Sequence, residues 1–79
     1  MKAQDLKKFE GRRIELHFRD GHKVRCRLVD VDADSPGREL IYDELEVVEW
    51  GTVLPGTINL EDAASTALSD VADVRVLTA

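Results

Sequence analysis

The sequence predicts a mainly β fold: a small, strongly bent barrel of five strands with a short N-terminal helix. Three observations support this prediction. The chain has 79 residues, which suits a single domain spanning 1–79. Apolar and polar residues alternate over several short runs, as is typical of half-buried strands. The phase of the alternation changes within one run, and a strand that changes its buried face is bent or bulged.

The first predicted element is a short helix at about residues 3–10. Leu6 and Phe9 are three positions apart and would share one helix face, and Gly11 is a residue type that ends helices readily. A helix this short is marginally stable alone. We therefore expect its apolar face to pack on the rest of the domain.

Strands begin at about residue 12, and the first two form a predicted hairpin. Two alternating runs are separated by Asp20-Gly21, a pair typical of hairpin turns. The inward-facing residues of the two runs are Ile14, Leu16 and Phe18, then Val24, Cys26 and Leu28.

The inward-facing residues of the two runs must lie opposite each other, and this requirement predicts the structural turn at Asp20 and Gly21. A two-residue loop would place Leu16 opposite Arg25 and put cations on the buried face. A three-residue loop over 19–21, with Gly21 at positive φ, avoids this conflict. Its register pairs Leu16 with Val24, Ile14 with Cys26 and, on the outer face, Glu15 with Arg25.

The second strand changes phase near its end. Leu28 belongs to the first face, whereas Val29 and Val31 belong to the other. We therefore expect a bend or bulge here, with burial passing from one face to the other.

The rest of the chain adds three predicted strands. A type II turn at residues 34–37 precedes a strand at about 39–50, in which Ile41, Leu45 and Val47 oppose an acidic face that includes Tyr42. Residues 57–60 form a short strand and residues 71–78 the last one. Residues 61–69 are ambiguous between a helical turn and a loop. This tally matches a small barrel of SH3-like or Sm-like size.

Asp20-Gly21, Leu28 and Asp32 have the spacing found in the first motif of Sm-like (LSm) proteins, so residues 11–32 resemble that motif. The N-terminal helix also resembles the helix that caps Sm-like barrels. The resemblance implies an Sm-like fold and ring assembly through edge strands.

The sequence departs from the Sm-like pattern at three points. Cys26 stands where the family usually has glycine. No asparagine lies between Asp32 and Trp50, although RNA-binding members use one to help hold a base, and the Arg-Gly step of the second motif is missing. The resemblance therefore does not imply a nucleotide pocket.

Charge divides the chain into two halves. Residues 1–27 hold nine Lys/Arg and four Asp/Glu, which gives +5, whereas residues 28–79 hold two and twelve, which gives −10. The parity of the first hairpin gathers cations on its outer face, and we predict that this face binds a nucleic acid or a partner. Its cations are Arg13, Lys23, Arg25 and Arg27.

The other chemistry-bearing residues favour structural roles. Cys26 is predicted as a buried thiol, with a reactive thiol beside Arg25 and Arg27 as the alternative. His17 and His22 are predicted as solvated groups with no carboxylate to orient them. Asp30, Asp32 and Asp34 form a solvated strand end, the alternative being a site for a hard cation.

No catalytic constellation, phosphate loop or metal-spaced cluster is visible in the sequence, so we predict no enzyme, no cofactor and no metal. One cysteine excludes an internal disulfide framework. No apolar run reaches the ~18 residues of a membrane span, and the first residues lack a signal peptide's apolar core. We therefore predict a cytoplasmic protein with no membrane contact.

The predicted function is a non-enzymatic binding or scaffold module of Sm-like type that self-associates as a homo-oligomer, through strand edges or oppositely charged faces. A further protein partner is compatible with this role. RNA binding through the basic hairpin is the alternative. The isoelectric point of about 4.9 and the few aromatic residues make a general nucleic-acid binder the weaker interpretation.

Overall fold

Alternation of apolar residues produces strands in this chain, and five of them form one antiparallel sheet. The computed structural model describes residues 3–34, 38–52 and 63–77. The elements are a helix α1 (Ala3–Leu6) followed by a 3-10 turn (Lys7–Phe9), strands β1 (Arg13–Phe18), β2 (Lys23–Asp32), β3 (Glu39–Glu49) and β4 (Ala64–Ala67), a second 3-10 turn (Leu68–Asp70), and β5 (Val71–Val76).

The strand order is β4-β3-β2-β1-β5. Both β2 and β3 are long and bend through bulges, which lets one sheet curl around its own apolar face. The predicted mainly β architecture with a short N-terminal helix is therefore confirmed. In the part of the chain described, no helix is long and apolar enough to cross a membrane.

The core lies inside the curl of the sheet. Leu6 of α1 is buried there and Phe9 packs against the same cluster, so the predicted packing of the helix is confirmed. Among the described residues no polar or charged residue is buried. The buried set is Leu6, Ile14, Leu16, Phe18, Val24, Cys26, Leu28, Val31, Leu40, Tyr42, Leu45, Leu68 and Val71.

The first hairpin has the predicted three-residue loop. Leu16 pairs with Val24, and the outer face pairs Glu15 with Arg25. Phe18 N donates to His22 O at 2.9 Å, and Gly21 has a φ of 96°. Only glycine adopts this φ without strain, so the parity of the strands and the glycine specify the same turn.

The predicted bulge in β2 is confirmed, but the predicted burial of Val29 is wrong. Leu28 pairs with Tyr42, and Asp30 pairs with the next residue of β3, Ile41. Val29 is therefore the extra residue, and its side chain is 44% exposed. The bulge returns Val31 to the same core that Leu28 enters, so no second buried face exists here.

The predicted faces of β3 are also wrong for its first half. Tyr42 is buried and Ile41 is only half-buried, opposite to the expectation. One extra β3 residue lies between the partners of Arg25 and Arg27, and Glu44 in this bulge has a φ of 53°. Before the bulge, the inward residues are Leu40 and Tyr42, and after it they are Leu45 and Val47.

The fourth strand lies where the sequence was ambiguous. Residues 64–67 form β4, and residues 68–70 form a 3-10 turn that leads directly into β5. Neither a helical turn nor a loop was the correct prediction for 64–67, because pairing with residues 39–42 of β3 imposes an extended conformation. The predicted strand at 57–60 and the turn centre at 35–37 lie outside the described residues.

Candidate functional site

The structure brings the four predicted cations together on the outer face of β1 and β2. Arg13 lies opposite Arg27, and Lys23 lies opposite His17 at the other end of the hairpin. All four alternate with core residues along their strands, as the sequence indicates. The predicted basic face therefore exists as a geometric surface.

Each of these cations has an acidic partner within the same chain. Arg27 makes the best-defined pair, because its Nε and Nη2 lie 2.9 and 2.6 Å from the two carboxylate oxygens of Asp43. The Arg27 hydrogen bonds hold the pKa of Asp43 below its usual value. The other pairs are Arg13–Glu44 at 3.4 Å, Lys23–Glu49 at 3.2 Å and Arg25–Glu15 at 3.0 Å.

The neighbouring strand β3 supplies most of these partners. It runs antiparallel to β2 and sets Glu46 and Asp43 opposite Arg25 and Arg27. The positive and negative halves of the sequence thus meet across adjacent strands of one molecule. The outer face of the hairpin is a mixed-charge surface, and its attraction for a polyanion is correspondingly reduced.

Both histidines have carboxylate partners, so the expectation of solvated, unoriented rings is wrong. His17 Nε2 lies 2.6 Å from Glu15 Oε1, and the two side chains are 15% and 13% exposed. His22 Nδ1 lies 2.5 Å from Asp20 Oδ1, and the His22 side chain is 13% exposed. Each partner lies two positions earlier in the chain, and for Glu15 and His17 the strand periodicity already places both on one face.

These contacts set the ionisation of the two carboxylates. Hydrogen bonds from His17 and then Arg25 lower the pKa of Glu15. The backbone N–H of His22 and then its ring lower the pKa of Asp20. Both groups therefore stay ionised into mildly acidic conditions.

The hairpin tip is fixed from several sides. The rings of Phe18 and His22 stack with centroids 3.9 Å apart and an interplanar angle of 5°. Arg19 N donates to Asp70 O at 3.0 Å, and Arg19 Nε donates to Ser69 O at 2.7 Å. These bonds tie the tip to the 3-10 turn that connects β4 with β5.

Cys26 is a buried residue, as predicted. Burial raises the pKa of its thiol to about 12, which removes the thiolate needed for reactivity at neutral pH. Because Cys26 is also fully buried, the structure favours the structural role over the alternative of a reactive thiol.

The aspartates at the end of β2 make local backbone contacts. Asp34 N donates to Asp32 Oδ1 at 3.2 Å. Within the described ranges, no group of three His, Cys, Asp or Glu residues is placed to hold a metal ion. This geometry favours the structural interpretation of Asp30, Asp32 and Asp34 over the cation site.

The two outermost strands present free edges. β4 pairs only with β3, and β5 pairs only with β1, in the part of the chain described. Leu68 N donates to Arg38 O, and Leu77 N donates to Arg13 O. These two bonds show which residue pairs of each ladder are hydrogen-bonded. Because bonded pairs alternate along an antiparallel ladder, the N–H groups of Ser65 and Val74 point away from the sheet.

Comparison with protein-family models and with curated proteins gives no match to this sequence. Among solved structures, a heptameric archaeal Sm protein superposes with a TM-score of 0.67 at 16% identity, over 95% of this chain and 98% of that one. The P. aerophilum SmAP1 heptamer gives a TM-score of 0.68 at 16% identity, over 98% and 93%. The strand order, the bent sheet and these superpositions together show that the chain has an Sm-like fold.

Proposed function

We propose that this chain is a non-enzymatic scaffold module of Sm-like type that self-associates through its two strand edges. The single observation that carries the proposal is the sheet order, in which β4 and β5 are different edges of one sheet and have no second partner strand among the described residues. Pairing β4 of one copy with β5 of the next is a head-to-tail contact, and such contacts form rings when the rotation closes. Both similar solved structures are described as heptamers, which supports this arrangement.

Edge pairing is favoured over docking of oppositely charged faces. The cations of the basic face already have partners within the chain, so they offer little unsatisfied charge to another copy. Unpaired backbone groups along an edge strand are, in contrast, a ready template for another strand.

A proline at an outward-pointing N–H tests the proposal. Ser65 is exposed, and its N–H points away from β3, so Ser65→Pro removes a donor to the neighbouring copy while leaving the bonds to β3 in place. We expect the unchanged chain to sediment as an oligomer and Ser65→Pro as a folded monomer.

Ser65→Ala is the matched control, because it loses the same hydroxyl but keeps the N–H. Circular dichroism checks that all three proteins contain the same strands. A monomeric unchanged chain at high concentration contradicts the proposal, and so does an assembly that Ser65→Pro leaves intact.

RNA binding through Arg13, Lys23, Arg25 and Arg27 is the second candidate and has weaker support. These residues share one face, but each is engaged by a carboxylate. Binding of a single-stranded RNA that falls steeply with salt, and that Arg25→Glu abolishes, would favour it.

A further inference from the structure

A cavity of about 390 Å³ lies beside the hairpin tip, and none of the four cations of the basic face lines it. This volume is within the range of small-molecule sites, about 300–1,000 Å³. Its wall combines the tip of the first hairpin with β3, β4 and the 3-10 turn before β5. The lining residues are Phe18, Arg19, Asp20, His22, Val24, Tyr42, Leu45, Ala64, Thr66 and Asp70.

The cavity has an apolar floor and a polar rim. Phe18, Val24, Tyr42 and Leu45 are buried members of the core and form the floor. Exposed residues at the rim bring polar groups of the hairpin tip and the 3-10 turn together. An apolar body with a few converging polar groups is the usual composition of a small-molecule site.

The His22 ring lines this cavity and is held in a fixed orientation. Its Nδ1 lies 2.5 Å from Asp20 Oδ1, and a carboxylate accepts hydrogen bonds but does not donate them when ionised. Nδ1 therefore carries a proton and donates to Asp20. Stacking on Phe18 holds the ring in this orientation.

The charged groups at the rim also favour a ligand that donates hydrogen bonds. Asp20 and Asp70 contribute two carboxylates, and Arg19 contributes one guanidinium. Arg19 is engaged, since its Nε donates to Ser69 O. Asp20 uses Oδ1 for both contacts with His22, which leaves Oδ2 for a ligand.

We propose that this cavity binds a small organic cation, with N–H donors carried on a flat apolar body. The body would rest on the apolar floor beside the His22 ring, and the donors would meet the carboxylates of Asp20 and Asp70. The site lies within one chain, so the proposal does not depend on the assembly through strand edges.

Titration with benzamidine, followed by NMR of the 15N-labelled full chain, tests the proposal. Benzamidine has a flat ring and an amidinium with four N–H donors. Benzamide is the neutral control of the same shape, and benzoate carries the opposite charge. We expect saturable shifts with benzamidine at residues 18–22, 42–45 and 64–70, and no saturable shifts with the other two.

Two carboxylate variants locate the interaction. Asp20→Asn and Asp70→Asn keep the shape of the rim and should each weaken benzamidine binding about tenfold, the value of one charge-assisted hydrogen bond. Asp73→Asn is the matched control, since it removes an equal charge from an exposed residue outside the cavity.

Three results would overturn the proposal. These are the absence of saturable shifts with benzamidine, equally strong binding of benzamide, and a loss of binding with Asp73→Asn as large as that with the rim variants. The last result would mean that the overall negative charge, rather than the cavity, attracts the cation.

Discussion

Gly51 shows how single atoms constrain the hairpin tip. It has a φ of 58°, and a Cβ added to it would lie 2.6 Å from His22 N and 2.7 Å from Gly21 C. These neighbours are backbone atoms that cannot move aside as a flexible side chain would. The end of β3 therefore packs against the tip only because residue 51 has no side chain.

Gly51→Ala should be markedly more destabilising than Gly11→Ala. Gly11 has a φ of 84° but nothing within 4 Å of an added Cβ, so it carries only the left-handed strain of about 1–2 kcal/mol. Gly51→Ala adds a backbone clash worth a further ~1–3 kcal/mol. Urea denaturation of the two variants measures the difference, and equal losses would contradict the close approach.

Histidine contacts are a second feature at the scale of residues. Neither His17 nor His22 belongs to the core, yet both are largely covered and face a carboxylate. Their spacing from Glu15 and Asp20 was visible in the sequence. The turn conformation that folds Asp20 back onto His22 is what converts this spacing into contact.

At the scale of elements, three bulges shape the long pair of strands. The register between β2 and β3 shifts near Val24, Cys26 and Val29. Among the described residues, Val29 and Val48 are the two exposed large hydrophobic residues, and each is the extra residue of a bulge. Their exposure is thus a consequence of bending the sheet, and it requires no binding partner.

Glu44 lies in the bulge near Cys26 and has a left-handed backbone conformation. We therefore expect an unusual effect on stability when Glu44 is replaced by glycine. Glu44→Gly relieves strain of about 1–2 kcal/mol, while losing exposed ion pairs worth roughly 0–1 kcal/mol. We expect its unfolding free energy to equal or exceed that of the unchanged chain.

Glu46→Gly is the control for this prediction, because Glu46 lies in the same strand and has no positive φ. It should cost about 0.5–1 kcal/mol, the usual penalty of glycine inside a strand. Thermal unfolding measures both variants. A loss for Glu44→Gly as large as that for Glu46→Gly would show that the bulge stores no strain.

At the scale of the whole molecule, charge acts mainly within one chain. The first 27 residues carry +5 and the rest −10, and β3 brings part of the negative half against the positive hairpin. The charge split therefore acts between neighbouring strands of one sheet, and this supports the proposal that association uses the strand edges rather than the charged faces.

A charge exchange between Arg27 and Asp43 tests this assignment. Arg27→Asp should lower the unfolding temperature, because it sets three carboxylates together with Asp43 and Glu44. Adding Asp43→Arg should restore most of the lost unfolding temperature, because the two exchanged residues form the ion pair again. The sedimentation of the double variant should match the unchanged chain.

Two outcomes would contradict the assignment. One is a double variant no more stable than Arg27→Asp alone, because the two side chains would then not be partners. The other is a folded double variant that loses its assembly, because the two residues would then contact another copy.

The site could be predicted only in part. Parity placed Arg13, Lys23, Arg25 and Arg27 on one face, since that follows from strand periodicity alone. Glu15 opposite Arg25 also follows from the hairpin register. The neutralisation of the other three depends on which strand lies beside β2, and on the bulge that directs Glu44 toward Arg13. The cavity depends on β4 and the 3-10 turn, whose place in the sheet no local pattern indicated.

The sequence by itself determined the helix, the first hairpin with its register, and the presence of a bend after Leu28. Each of these follows from interactions between residues close in the chain: side-chain periodicity, turn chemistry and the φ of Gly21. Only the tertiary structure decided the faces of β3, the position of β4 and the partners of Arg13, Lys23 and Arg27. These depend on which strands become neighbours, because pairing and bulges join residues far apart in the sequence.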